Sequence, residues 1–165
     1  MKNTARAFTG AVMAVLMTGA AQAGGDYVLL AHPEAVDGNT LVDDNGRLYR
    51  LHAIDAPDIG QQCLAADGAE YSCGEQAREA LADMIDGILT CDLVKPDAVE
   101  KKLVRCHDFA GRDIGQLLIS AGWALPDRAV SLDYVWEEME AEARSLGLWQ
   151  GRFVMPERWR AGARL

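Results

Sequence analysis

The segment AVDGNTLVDDNGRLYRLHAIDAPD, residues 35–58, carries a hairpin and an acidic loop in one run. Leu41 and Val42, then Asn45-Gly46, then Leu48 to Leu51 give the pattern of two short antiparallel strands. Asn-Gly accepts the positive φ angles of a tight type I′ turn, so the turn is expected at those two residues. The second strand leads directly into Arg50 and Ile54. Pro57 fixes the backbone beyond it, and the residue before a proline is pushed toward extended geometry, so Asp55-Ala56-Pro57-Asp58 is expected to form a defined loop at a strand end. The run thus puts two acidic clusters on either side of a basic residue, and the question is whether Asp37, Asn39, Arg50, Asp55 and Asp58 form a metal and phosphate site or the remains of one. The plainer role for Asp37 and Asp55 is turn and capping work near strand ends.

Upstream, the chain opens MKNTARAFTGAVMAVLMTGAAQAGG. Lys2 and Arg6 precede an apolar run from about Ala7 to Ala20, and Ala21-Gln22-Ala23 offers small residues for cleavage. The run is shorter than the roughly 20 apolar residues that span a bilayer, and Gly10, Thr18 and Gly19 dilute it. Residues 1–23 are therefore expected to be a signal peptide and residues 24–165 one exported domain, periplasmic or secreted, with no membrane attachment after cleavage. The formal charge of −9 becomes more negative once Lys2 and Arg6 leave. Such a field is poor at capturing a polyanion, so nucleic acid is disfavoured as a partner unless a local basic site exists. A protein partner is the other candidate, and a monomer is expected.

Downstream stand four cysteines, Cys63, Cys73, Cys91 and Cys106. An exported chain with an even count favours two disulfides. Cys63 and Cys73 enclose the short loop CLAADGAEYSC. The segments TCDLVK and KKLVRCHD read as two strands around a turn near Pro96 to Glu100, which would place Cys91 opposite Cys106. The pairs 63–73 and 91–106 are expected. A zinc site would need a CxxC pair or a suitable histidine spacing, and neither is present; His32, His52 and His107 show no ligand spacing.

Three helices follow from periodicity. CGEQAREALADMIDG places Ala77, Leu81, Met84 and Ile85 at helical spacing, with Gly87 to close it. DIGQLLISAG places Ile114, Leu117, Leu118 and Ala121 on one face, ended by Gly122. Residues 131–146 begin with Ser131 as a potential N-cap and carry Val135, Met139, Ala143 and Leu146 as a buried stripe. In the tail, Trp149, Phe153 and Trp159 are expected to anchor the chain on the core, leaving Arg152, Arg158, Arg160 and Arg164 in solvent. Strands first and helices interleaved late indicate an α+β fold, a small barrel capped by helices.

Five segments in this order, VDGNT (36–40), YRLHAIDAPD (49–58), CGEQA (73–77), LISAGWAL (118–125) and ARSLGLWQGRFVMPERWR (143–160), resemble the staphylococcal-nuclease (thermonuclease) family. The resemblance implies a five-stranded OB-fold β-barrel with three helices. It also implies Ca2+-dependent hydrolysis of phosphodiester bonds in DNA and RNA. A hard cation wants several oxygen ligands, the attacking water needs a base within reach, and a phosphate gaining charge needs donors already aimed at it.

Residue by residue, the match is mixed. Asp37 and Gly38 fit the start of the family's Asp-Gly-Asp-Thr motif, but its second aspartate, a metal ligand, is Asn39. Asp55 fits the other metal-binding aspartate, and Ala56 replaces a threonine that contributes its main-chain carbonyl. Arg50 fits the first phosphate arginine. Asp58 stands at the catalytic glutamate, one methylene shorter. The second arginine, expected in a hairpin turn, aligns with Lys101, beside Glu100; lysine lacks the planar two-pronged grip of guanidinium. Asp108 to Arg112 resembles the same turn superficially, but Asp113 begins a helix at once, with no room for the strand that should intervene. On this reading Asn39, Asp55 and Ala56 face a metal, while Arg50, Asp58 and Lys101 act on the phosphate, in a Ca2+ site and a nuclease both weakened or lost. The alternative is a catalytically silent OB-fold module that binds an oligomer or an exported protein.

Overall fold

The computed structural model describes residues 26–95 and 101–165. The expected signal peptide and the expected turn at 96–100 lie outside the described residues. In chain order the elements are β1 (Tyr27–Ala31), β2 (Glu34–Asp37), β3 (Thr40–Val42), β4 (Leu48–Leu51), β5 (Ile54–Asp55), β6 (Cys63–Ala65), β7 (Glu70–Tyr71), α1 (Cys73–Met84), β8 (Ile88–Lys95) and β9 (Lys101–His107). Then come α2 (Ile114–Ser120), β10 (Leu125–Pro126), α3 (Val135–Ala143), a 3₁₀ turn at Gly147–Gln150, β11 (Gly151–Arg152) and α4 (Pro156–Arg160).

Six strands form one sheet in the order β1-β8-β9-β4-β3-β2. Only β4 and β9 run parallel; the other neighbours are antiparallel. The two edge strands are consecutive in the chain, separated only by His32 and Pro33, and His32 takes φ 46°. Because adjoining pieces of one run form opposite edges, the sheet has to curl until those edges approach. Leu30, Leu41, Tyr49, Leu51, Leu89 and Val104 fill the hollow, closed by Leu81 of α1 and by Ile114, Leu118 and Ile119 of α2. The fold is α+β, as expected. Its six-stranded sheet and four α-helices, counted among the described residues, differ from the expected five and three. The break at His32-Pro33 divides one run into β1 and β2, and Pro156 starts a short fourth helix in the tail.

The hairpin lies where expected, with Leu41 opposite Tyr49, but its turn is not type I′. Asp43 N–H bonds Arg47 O at 3.1 Å and Gly46 N–H bonds Asp43 O at 2.9 Å, and only Gly46 has positive φ, +76°. The Asp43 carboxylate overrides the Asn-Gly preference by accepting the N–H groups of Asn45 and Arg47, at 3.0 and 2.8 Å.

Both expected disulfides are present, Cys63–Cys73 and Cys91–Cys106. The second joins residues directly opposite each other on β8 and β9. The first nucleates a smaller core with Leu125 and Leu148, against which Tyr71, Trp123, Trp149 and Phe153 pack. Of the faces expected of α1 and α2, Ala77, Leu81, Ile85, Ile114 and Leu118 are buried while Met84, Leu117 and Ala121 are half-buried, and the Asp113 side chain caps α2 by accepting Gln116 N–H. The third helix is shorter than expected and turned. Met139 is 53% exposed and Ala143 is also exposed, while Glu138 and Ala141 are buried. Glu138 goes inside because its carboxylate pairs with Arg128, a rotation that hydrophobic spacing alone does not register. Ser131 does not cap this helix; its hydroxyl accepts Asp133 N–H two residues on.

Candidate functional site

Arg50 sits on β4 between the buried Tyr49 and Leu51, so strand alternation turns its guanidinium away from the core. Asp55 closes β5, which is held by pairing with β10, Asp55 opposite Leu125. Beyond it, Ala56 and Pro57 are buried and Asp58 re-emerges. Two glycines make this loop possible. A Cβ on Gly38 would lie 2.7 Å from Ala56 Cβ and 2.9 Å from Ala77 Cβ, and one on Gly74 would lie 1.9 Å from the Asp58 carbonyl oxygen. The start of α1 therefore meets the Asp-Ala-Pro-Asp loop backbone to backbone at Gly74, and the VDGNT turn meets both at Gly38 through the methyl groups of Ala56 and Ala77.

The side chains converge differently from expectation. The Asp55 carboxylate is engaged on both oxygens: Arg50 Nη2 reaches Oδ1 at 3.2 Å and Arg160 Nη2 reaches Oδ2 at 2.5 Å. Arg160 also reaches Asp58, Nη1 to Oδ1 at 3.4 Å. The hydrogen bond to Asp55, helped by the charges of Asp55 and Asp58, raises the Arg160 pKa above its ordinary value. The Arg160 side chain is 42% exposed, so each pair adds no more than about 1 kcal/mol to folding. Arg50, Asp55 and Arg160 line one pocket of about 340 Å³, floored by Leu125 and Pro126 and walled by Met155 and Pro156. Asp127, Arg128, Glu138 and Glu157 complete its rim.

Around them, Asp37 does turn work and the expected metal ligand Asn39 is buried. Asp37 Oδ1 accepts Asn39 N–H at 2.9 Å, the turn-forming role aspartate commonly takes. Asn39 is buried; its Nδ2 donates to Ile54 O at 3.4 Å and its Oδ1 accepts the Thr40 hydroxyl at 3.3 Å. Ala56 is buried beneath Gly38. No group of three or more His, Cys, Asp or Glu side chains suited to a metal ion occurs among the described residues. Asn39 is committed to its neighbours and Asp55 to two arginines, so this donor set does not fit the several-oxygen cage that Ca2+ requires.

Lys101 opens β9 opposite Leu48, on the sheet face that carries Arg50 opposite Leu103. It is exposed and lies outside the residues lining the pocket. Arg112 is also elsewhere: its Nε bonds Asp108 Oδ2 at 2.6 Å within a closed turn.

Sequence reasoning missed Arg160, which had been expected in solvent. Its position follows from the tail's anchors. Trp149 and Phe153 meet edge to face with centroids 5.2 Å apart, and Gln61 Nε2 bonds Val154 O at 2.6 Å. Pro156 is buried at the start of α4, and Arg160, four residues on, shares its face. The spacing Pro156 to Arg160 was the available signal.

No family model matches the chain. It is 27% identical over 147 residues to the succinoglycan biosynthesis protein ExoI of Rhizobium meliloti (strain 1021), a similarity covering 87% of this chain and 75% of that protein.

Proposed function

We propose that this is an exported thermonuclease-like protein whose pocket binds a phosphate ester of DNA or RNA, with the Ca2+-dependent hydrolysis of the family weakened or lost. The observation that carries it is the convergence of Arg50, Asp55 and Arg160 at one pocket, with Asp58 tied to Arg160 beside it. The curled sheet is compatible with a barrel of the OB class if β1 and β2 are counted as one bent strand, and the two disulfides suit an oxidising compartment. No helix of the described residues is long and apolar enough to cross a membrane.

In this reading Arg50 and Arg160 offer N–H donors to phosphate oxygens, and Asp58 is the base nearest the attacking water. Each is a poor version of its role. The arginines are shared with carboxylates, and the shorter Asp58 is tied to a guanidinium. The loss of one transition-state donor removes about 3 kcal/mol of rate acceleration, so several such changes leave little turnover. The second reading, a binding module without hydrolysis, is favoured by the fact that Arg160 occupies both Asp55 and Asp58.

Calorimetry with adenosine 3′,5′-bisphosphate, alongside cleavage of labelled DNA and RNA, tests the proposal. Nucleotide binding with slow or no cleavage is expected, and cleavage rises in the variant Asn39→Asp, Asp58→Glu, Lys101→Arg. Absence of nucleotide binding in every buffer removes the phosphate-ester reading.

A further inference from the structure

Opposite Asp55 and Asp58 the chain already supplies a cation. Arg160 bridges the two carboxylates from the last helix, and Arg50 holds the remaining oxygen of Asp55. A metal ion entering here would have to evict at least one guanidinium, and the nearby amide of Asn39 is bound to Ile54 and Thr40. Extracellular Ca2+ sites bind at about 10⁻⁴ to 10⁻³ M. A cation tethered to the same chain acts at an effective concentration of millimolar or more and competes on at least equal terms. Guanidinium also stays protonated and offers directed N–H groups, which a point charge does not.

We propose that Arg160 is the resident cation of this pocket: its guanidinium takes the Asp55 carboxylate that the family resemblance gives to Ca2+, reaching Asp58 beside it, and phosphate-ester binding there is independent of metal. The second half rests on the function proposed above; the first half does not.

The side chain that neutralises the acidic loop also faces the pocket, so withdrawing it has two separable effects. It opens one oxygen of Asp55 and the Asp58 carboxylate to cations, and it removes a donor from any anion. The surrounding sheet does not depend on it, because Arg160 lies on α4 and the core is built from other elements.

Two titrations on the mature chain test this. In the first, Ca2+ alone is added to wild type, Arg160→Gln, Arg158→Gln and the double variant Arg160→Gln, Asp55→Asn. Arg160→Gln is expected to bind Ca2+ about tenfold or more tightly than wild type, a usual size for coupling between competing ligands. The added Asp55→Asn abolishes the gain, and Arg158→Gln, on the same helix, behaves as wild type. A smaller gain, an equal gain in Arg158→Gln, or persistence of the gain without Asp55 overturns the proposal.

In the second, adenosine 3′,5′-bisphosphate is titrated in EDTA and in Ca2+. Wild type is expected to bind equally in both, and Arg160→Gln to weaken about tenfold or more in EDTA. Wild-type binding that requires Ca2+ overturns the resident-cation reading. If wild type binds no nucleotide in either buffer, the proposed function fails, and the Ca2+ titration alone decides the role of Arg160.

Discussion

Replacing Gly74 by alanine sets two effects of opposite sign against each other. Gly74 lies in the first turn of α1 with an ordinary helical φ, so alanine suits its backbone and would by propensity stabilise the helix by about 1 kcal/mol. The added Cβ, however, would sit 1.9 Å from Asp58 O, 2.6 Å from Asp58 C and 2.9 Å from Ile59 Cα. These are backbone atoms, so no side chain can rotate aside. The loop has to retreat by more than about 1 Å to reach normal contact distance. That movement strains or breaks Gln61 N–H to Asp58 O, 2.8 Å, and Gly74 N–H to Gln61 O, 3.4 Å. At about 1 kcal/mol each, on top of about 1 to 3 kcal/mol for overpacking, the steric side wins. The net expectation is a loss of about 2 to 4 kcal/mol. Urea unfolding measures it: with m near about 2 kcal/mol/M, the midpoint falls by about 1 to 2 M. Gly60→Ala is the control, since nothing lies within 4 Å of its Cβ and its φ is unstrained; it should stay within about 0.5 kcal/mol of wild type. If Gly74→Ala is as stable as Gly60→Ala, the close approach of α1 to the acidic loop is refuted.

Replacing both Cys91 and Cys106 by serine opens a bridge of sequence separation 15 between two buried positions, and should lower unfolding free energy by about 3 kcal/mol, read by urea titration. Ser145→Gly should raise stability by about 0.5 to 1 kcal/mol in the same assay, because Ser145, just past the end of α3, holds φ +53° and glycine adopts that angle without strain. The Asp108 carboxyl is held below its ordinary value of 3.8 by Arg112 N–H first, then, against burial, by the Arg112 guanidinium and Ala110 N–H. A depressed folded value means the contribution is present above the ordinary pKa and disappears as pH falls through the folded one. Thermal melts taken downward from about pH 5 should therefore show a smaller acid-side decline in Asp108→Asn than in wild type.

Whatever depends on local pattern was legible in the sequence. Cys91 and Cys106 could be paired because a hairpin turning near Pro96 to Glu100 puts them opposite each other, and Ala77, Leu81, Ile114 and Leu118 could be placed inside because helical spacing is strong over those stretches. Where a side chain competes with backbone preference, the reading slipped. Asp43 reshaped the Asn-Gly turn by accepting two N–H groups, and the Arg128–Glu138 pair rotated α3 so that Met139 faces solvent. Arg160 was missed for another reason: the Pro156 to Arg160 spacing gives its helix face, but its destination is fixed by tail packing onto Gln61 and the 63–73 disulfide cluster, contacts between distant parts of the chain.

Asp55 and Arg160 are separated by 105 positions. At ribosomal rates of about 5 to 20 residues per second, the acidic loop therefore emerges roughly 5 to 20 seconds before the arginine that quiets it. A nascent or nicked chain severed between Trp159 and Arg160 keeps every strand of the sheet yet leaves Asp58 without its guanidinium and Asp55 with Arg50 alone. Limited digestion at the carboxyl end is thus a way to obtain, without mutagenesis, the pocket in its unbalanced form.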